Sequence, residues 1–110
     1  MKAEVSDAGR EGYEALAAEL SREPGVIACS MFGMPSLKAG GRVFAGYHDG
    51  AMAFKLPEDE RRRALQVEGA GPFDPSGRGR PMGDWARVPA TAAASWPELA
   101  RKALSHARAG

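Results

Sequence analysis

Two short turn signals constrain the fold of this chain more than any other feature. Gly40-Gly41 and Asp49-Gly50 each suit a two-residue type I′ turn, because this turn needs positive φ angles at both central positions. The turns separate three short predicted strands, residues 36–39, 42–48 and 51–56. We therefore predict two consecutive antiparallel hairpins in the middle of the chain.

The same turns predict which side chains share a face of the sheet, since a two-residue turn sets the register. On one apolar face the predicted cross-strand pairs are Tyr47–Met52, Ala45–Phe54 and Val43–Leu56. Leu37 opposite Phe44, with Lys55 beside Phe44, falls on the other face. The helices of a two-layer protein cover only one side of its sheet. The Leu37–Phe44 pair is therefore expected as an apolar island on a mostly polar open face.

Helical and strand periodicities on either side of the hairpins complete the fold prediction. A first helix ends before Glu23-Pro24-Gly25, and a strand over 26–31 places Ile27, Cys29 and Met31 on one face. A second helix begins at Pro57. A further strand covers 84–88, and an amphipathic helix follows it with Trp96, Leu99, Ala100, Ala103, Leu104 and Ala107 on one face. The order α-β-β-β-β-α-β-α predicts an α+β, mainly antiparallel two-layer sandwich.

The composition indicates one domain with a small core. At 110 residues the chain has the size of one domain. Of its apolar residues, 44% of the chain, 21 are alanines, and the formal net charge is only +1. The low net charge favours a folded domain over a disordered chain. The many alanines indicate a small core, which a partner subunit could complete.

Several classes of protein are not expected. No stretch reaches the roughly 20 apolar residues of a spanning helix, and acidic residues occupy the place of a signal peptide's apolar region. The single cysteine, Cys29, fits a reducing compartment, so we expect a cytoplasmic protein that does not bind membranes. His48 and His106 lack metal-ligand spacing with Cys29, and neither a nucleophile elbow nor a phosphate-binding loop is present. We expect no metal, no cofactor and no enzymatic activity.

The ordered motifs of the chain resemble one known family, the N-terminal domain of the TfoX (Sxy) competence regulators, and are similar to the related YjbR/MmcQ-like proteins. The resemblance covers Val26 to about His106. It rests on Met31-Phe32-Gly33-Met34-Pro35, Gly41-Arg42-Val43-Phe44-Ala45-Gly46, Phe54-Lys55-Leu56-Pro57, Phe73-Asp74-Pro75, Gly79-Arg80-Pro81-Met82 through Trp85, Val88-Pro89, and Trp96 with Leu99-Ala100.

The resemblance implies a secretion-chaperone-like α/β sandwich, a role in regulating transcription, and no catalytic residues. Full-length competence regulators carry a second, C-terminal helical domain, so residues 1–110 are expected to be a single N-terminal-like domain. For the motif residues we favour structural roles. Phe32 would anchor the strand exit in the core, Gly33 and Pro35 would turn the chain after Met31, and Trp85 would pack in the core.

Three functions remain open. The first is a regulatory or adaptor domain that binds a protein or a second copy of itself through Leu37, Phe44 and Lys55. The second is DNA binding, and the third is a small-ligand site beside Trp85. For DNA the candidate residues are Arg42, Lys55, Arg78, Arg80 and Arg87, since cations that contact phosphates supply most sequence-independent affinity.

Overall fold

Six antiparallel strands form one sheet in the part of the chain that the structure describes. The computed structural model describes the backbone of residues 2–75, 79 and 81–109, and the side chains of these residues from Gly9 onward. The elements in chain order are α1 (Lys2–Leu20), β1 (Val26–Met31), β2 (Met34–Ala39), β3 (Arg42–His48), β4 (Ala51–Lys55), α2 (Glu58–Ala64), β5 (Gly71–Phe73), β6 (Met82–Pro89), a 3-10 helix (Ala90–Ser95) and α3 (Trp96–Ala109). The strands lie side by side as β1-β2-β3-β4-β6-β5.

The predicted α+β class and the order of the main elements are confirmed. The sequence missed β5, because its three residues include Pro72 and lie in a stretch that is typical of a loop. It also placed the start of β6 at Asp84, whereas the strand begins at Met82. Short edge strands that contain proline carry almost no periodic signal.

Both predicted two-residue turns are present. The φ angles are +59° and +79° at Gly40 and Gly41, and +52° and +81° at Asp49 and Gly50. Strand pairing closes directly around them, with Ala39 opposite Arg42 and His48 opposite Ala51. The pairs Tyr47–Met52 and Ala45–Phe54 also form as predicted.

A β-bulge in β3 changes the predicted faces of the sheet. Lys38 lies opposite Val43 and Leu37 opposite Ala45, so Phe44 has no partner on β2. A bulge lets two successive side chains face the same way. Phe44 and Ala45 accordingly both belong to the core beneath the helices.

The predicted Leu37–Phe44 island on an open face is therefore wrong. Both side chains are fully buried on the helix side of the sheet. The predicted Val43–Leu56 pairing is wrong for the same reason, since Leu56 lies in the helix-side core and Val43 packs on the opposite face. Burial of a phenylalanine outweighs the disruption of one ladder position.

The main core lies between the sheet and all three helices. The predicted apolar face of α3 is confirmed, and α1 also has a buried apolar face. Among their residues, Tyr13, Leu16 and Leu20 of α1 and Trp96 of α3 are buried. The indole Nε1 of Trp96 donates a hydrogen bond to the carbonyl of Val88 at 3.2 Å, which ties α3 to β6.

A second, smaller cluster covers part of the other face. It consists of Met34, Ala53, Phe73 and Trp85. The Phe73 ring lies 5.7 Å from the Trp85 ring, centroid to centroid, and Trp85 is only 5% exposed. The predicted core role of Trp85 is therefore confirmed. Protein atoms already cover the indole beside which the sequence analysis considered a small-ligand site.

Replacing Phe44 with alanine tests the bulge. Because the ring is fully buried, Phe44→Ala is expected to lower the free energy of unfolding by about 3–5 kcal/mol in urea denaturation. Val43→Ala is the matched control, since Val43 is only half-buried on the other face. A smaller loss at Phe44 than at Val43 would contradict this placement.

Candidate functional site

Most charges on the helix surfaces are paired with one another. Glu58 and Arg62, four residues apart within α2, form an ion pair at 3.0 Å. Lys102 of α3 donates to Glu60 of α2 at 2.8 Å, and this hydrogen bond holds the pKa of Glu60 below its ordinary value and raises the pKa of Lys102. Arg101 is hydrogen-bonded to Glu19, which raises the pKa of Arg101. The pairs of Lys102 and Arg101 join α3 to α2 and to α1.

A small basic cleft lies where the sheet meets the last turns of α3. Its volume is about 100 Å³. The lining residues are Arg42, Phe44, Lys55, Ala103, His106 and Ala107, none of them acidic. Within the described ranges, the side chains of Arg42, Lys55 and His106 have no hydrogen bond or ion pair. Three unpaired nitrogen-bearing groups around an apolar floor can bind a small anionic group.

The fold brings together only some of the basic residues proposed from the sequence. Arg42 and Lys55 meet in the cleft because they lie at the ends of β3 and β4. Arg87 instead donates to the carbonyl of Asp49 at 3.4 Å, beside the turn between β3 and β4. The other two residues, Arg78 and Arg80, lie outside the described residues.

His106 was not among the site residues proposed from the sequence. The sequence shows only that it lacks the spacing of a metal ligand. The signal that could have found it is its spacing, since His106 lies three residues after Ala103 and borders Ala107 on the apolar face of α3. Its neighbours on the sheet, however, are fixed only by tertiary structure.

A second candidate surface is the hairpin formed by β1 and β2. Ile27 is 56% exposed and Phe32 is 71% exposed. Cys29 and Met31 alternate with solvent-facing neighbours along β1 and are half-buried on the same face as Ile27, as the strand periodicity predicted. We call Ile27, Cys29, Met31 and Phe32 the hairpin surface.

The predicted role of Phe32 as a core anchor is wrong. Phe32 and Gly33 are the two central residues of a tight turn, with φ angles of +53° and +77°, and Met31 lies opposite Met34. Positive φ at both positions identifies another type I′ turn, which the sequence did not predict because phenylalanine is rare there. Gly33 does turn the chain, as predicted, but the predicted turn role of Pro35 is wrong, since Pro35 lies in β2. An exposed aromatic held in an unfavourable backbone conformation points to a role in binding.

A family model, the TfoX N-terminal domain, matches residues 18–107. The chain belongs to this family. The match covers most of the chain and supports a regulatory or adaptor-type domain. No curated protein matches this TfoX N-terminal domain, and no solved structure does.

None of the described helices combines the length and the apolar character needed to span a bilayer. Among the residues that the structure describes, His, Cys, Asp and Glu side chains do not gather in threes as metal ligands would.

Two substitutions at the tip of the hairpin test the conformation of Phe32. Because glycine adopts positive φ without strain, Phe32→Gly is expected to leave the free energy of unfolding unchanged or raise it by up to about 1 kcal/mol. Phe32→Ala removes the same exposed ring but keeps the strained Cβ, so it should be the less stable of the two in urea denaturation. A more stable Phe32→Ala would contradict the positive φ angle at position 32, whereas a large loss of stability in both variants would show that the ring packs in the core.

Proposed function

We propose that this TfoX N-terminal domain is a non-enzymatic adaptor that binds a protein through the hairpin surface, within a regulatory, transcription-linked assembly in the cytoplasm. The observation that carries the proposal is Phe32, which is 71% exposed at a positive φ angle. Neither burial nor backbone preference accounts for a phenylalanine at this position. Contact with another protein does.

The chemistry of the hairpin surface suits a protein partner. Large aromatic side chains anchor many interfaces because they bury much apolar area with few rotatable bonds. Ile27 and Met31 continue the apolar surface along the uncharged strand that leads to this anchor. A partner that covers the hairpin would remove their apolar area from water, which is the main favourable contribution in most associations.

The interaction surface differs from the one first proposed from the sequence. Leu37 and Phe44 are buried, so they contribute to binding only by supporting the fold. Lys55 borders the basic cleft. The exposed apolar area now lies at Ile27 and Phe32, which the sequence analysis had assigned to a strand and to the core.

Photo-cross-linking in cells that make the protein tests the proposed surface. A photoreactive benzoylphenylalanine in place of Phe32 is expected to cross-link to a specific protein. The same probe in place of Gln66, which is also exposed but lies near α2, should not. Adding Ile27→Lys should abolish the cross-link because it puts a charge into the apolar contact.

Equal cross-linking from positions 32 and 66 would contradict the proposal, since it would reflect only random encounters. So would a cross-link from position 32 that is insensitive to Ile27→Lys. A purified protein with a catalytic activity would contradict the non-enzymatic part.

A second candidate function is binding to the phosphate backbone of DNA, and the basic cleft is the observation in its favour. Arg42, Lys55 and His106 border the cleft without an acidic neighbour in its lining. Arginine and lysine that contact phosphates release counterions, so the resulting affinity falls steeply with salt. The net charge of +1 provides no general attraction, and binding would depend on this local cluster.

Fluorescence anisotropy of a labelled duplex at several salt concentrations tests this candidate. Arg42→Ala and Lys55→Ala are each expected to weaken binding and to reduce the magnitude of the salt slope by about 1. Arg22→Ala is the charge-matched control, because Arg22 is exposed and lies outside the cleft. Absence of binding at low salt, or the same effect from all three variants, would rule out the cleft.

A further inference from the structure

Strand β1 is an edge of the sheet that no other described strand covers. It pairs with β2 on one side and lies at the end of the strand order. Its six residues include no charge, no proline and no glycine, and its register with β2 has no bulge. The opposite edge, β5, is short and contains Pro72. Soluble proteins usually protect edge strands with such features because a free edge can pair with another strand.

The hydrogen-bond pattern shows which groups of β1 point away from the sheet. In the tight turn the carbonyl of Met31 accepts from the N–H of Met34. Antiparallel pairs then alternate between bonded and non-bonded, so Cys29 and Ile27 also bond to β2. Ala28 and Ser30 direct their N–H and carbonyl groups outward.

Two further observations agree with this alternation. Pro35, which has no N–H, lies opposite Ser30 in a non-bonded pair. The outward N–H of Val26 is already used, since it donates to the carbonyl of Glu23 at 3.2 Å. The backbone groups available on this edge are therefore those of Ala28 and Ser30, two residues apart.

We propose that the partner of the hairpin surface is a second copy of this chain, whose β1 pairs antiparallel with the first around a two-fold axis at Cys29. This inference rests on the proposed adaptor function and names its partner. In this register Ala28 of each copy lies opposite Ser30 of the other, and each pair exchanges both N–H···O bonds.

The two neighbouring registers leave some outward backbone groups of β1 without a hydrogen bond. An axis at Ala28 sets Ser30 against Val26, whose N–H is taken. An axis at Ser30 sets Ala28 against Phe32, which lies in the turn. The axis at Cys29 uses every available group, and the uncharged strand creates no repulsion between two identical copies.

The same axis matches the exposed side chains of β1. Ile27 of each copy lies opposite Met31 of the other, so these apolar side chains contact each other across the pair of strands. The two Cys29 residues face each other in a non-bonded pair, where Cα atoms are about 4.5 Å apart. This separation is within the range that a disulfide spans. Two-fold symmetry makes both copies contribute the same contacts.

The oligomeric state under reducing conditions is the first test. Sedimentation velocity over a concentration series is expected to show a dimer of twice the 11.6 kDa chain mass. Ser30→Pro removes an outward N–H without affecting a bond to β2, so it should give a monomer with the wild-type circular dichroism spectrum. The control Ser30→Ala keeps the N–H and should remain dimeric.

Cross-linking by oxidation tests the register. Oxidised glutathione accepts the two electrons and two protons released when two Cys29 thiols form a disulfide, and is itself reduced to two thiols. The control carries Cys29→Ser with Ile27→Cys, which moves the thiol to a more exposed position on the same face. Across this axis the two residues at position 27 are about 14 Å apart along the strands. Dimer should form roughly tenfold faster from Cys29.

The outcomes separate this inference from the proposed function. A protein that is monomeric at all concentrations, or that cross-links equally fast from positions 27 and 29, overturns the two-fold pairing. If the cellular probe at position 32 then captures a different protein, the adaptor function stands without self-pairing. A dimer that Ser30→Pro dissociates, together with the fast Cys29 cross-link, supports the pairing.

Discussion

The burial of Phe44 is the constraint on which the rest of this structure depends. Because 21 of the apolar residues are alanines, the chain has a limited supply of large side chains for its core, and Phe44 is one of them. The bulge in β3 provides the solution, because it turns Phe44 and Ala45 toward the helices together. It sends Val43 to the other face, where it joins the small cluster around Trp85. One unpaired backbone position thus supplies large side chains to both sides of the sheet.

The limited core also explains where exposed surface remains. The helices cover the middle of the sheet, whereas Ala28 and Ser30 of β1 are exposed even on the helix side. The backbone edge of β1 and the apolar hairpin surface are therefore continuous. In a protein with longer helices or a further strand, both would be covered within one chain. The described part of this chain has no such element over β1, so one edge of its sheet stays open to pairing with a strand of another molecule.

The distribution of charge separates structural from functional surface. Carboxylates on α1 and α2 pair with cations on α3, so these side chains hold the helix layer together. Exposed ion pairs of this kind contribute little stability individually, and their effect is mainly on how the helices are arranged. Arg42, Lys55 and His106 are left beside the floor formed by Phe44, in a cleft whose lining includes no acidic residue. The basic cleft is thus also a consequence of the bulge.

The sequence by itself determined the features that depend on local backbone preference. Gly40-Gly41 and Asp49-Gly50 specify their turns because few other residues tolerate positive φ, and the spacing of Trp96, Leu99 and Leu104 specifies the buried face of α3. Tertiary structure decided the rest. Whether Phe44 keeps regular pairing or forms a bulge depends on the space beneath α3, and whether Phe32 is a core anchor or an exposed tip depends on which strands meet around it. In both cases the packing of a side chain competes with the regular pairing of strands. The contacts involved join residues far apart in sequence, so short-range sequence patterns do not predict them.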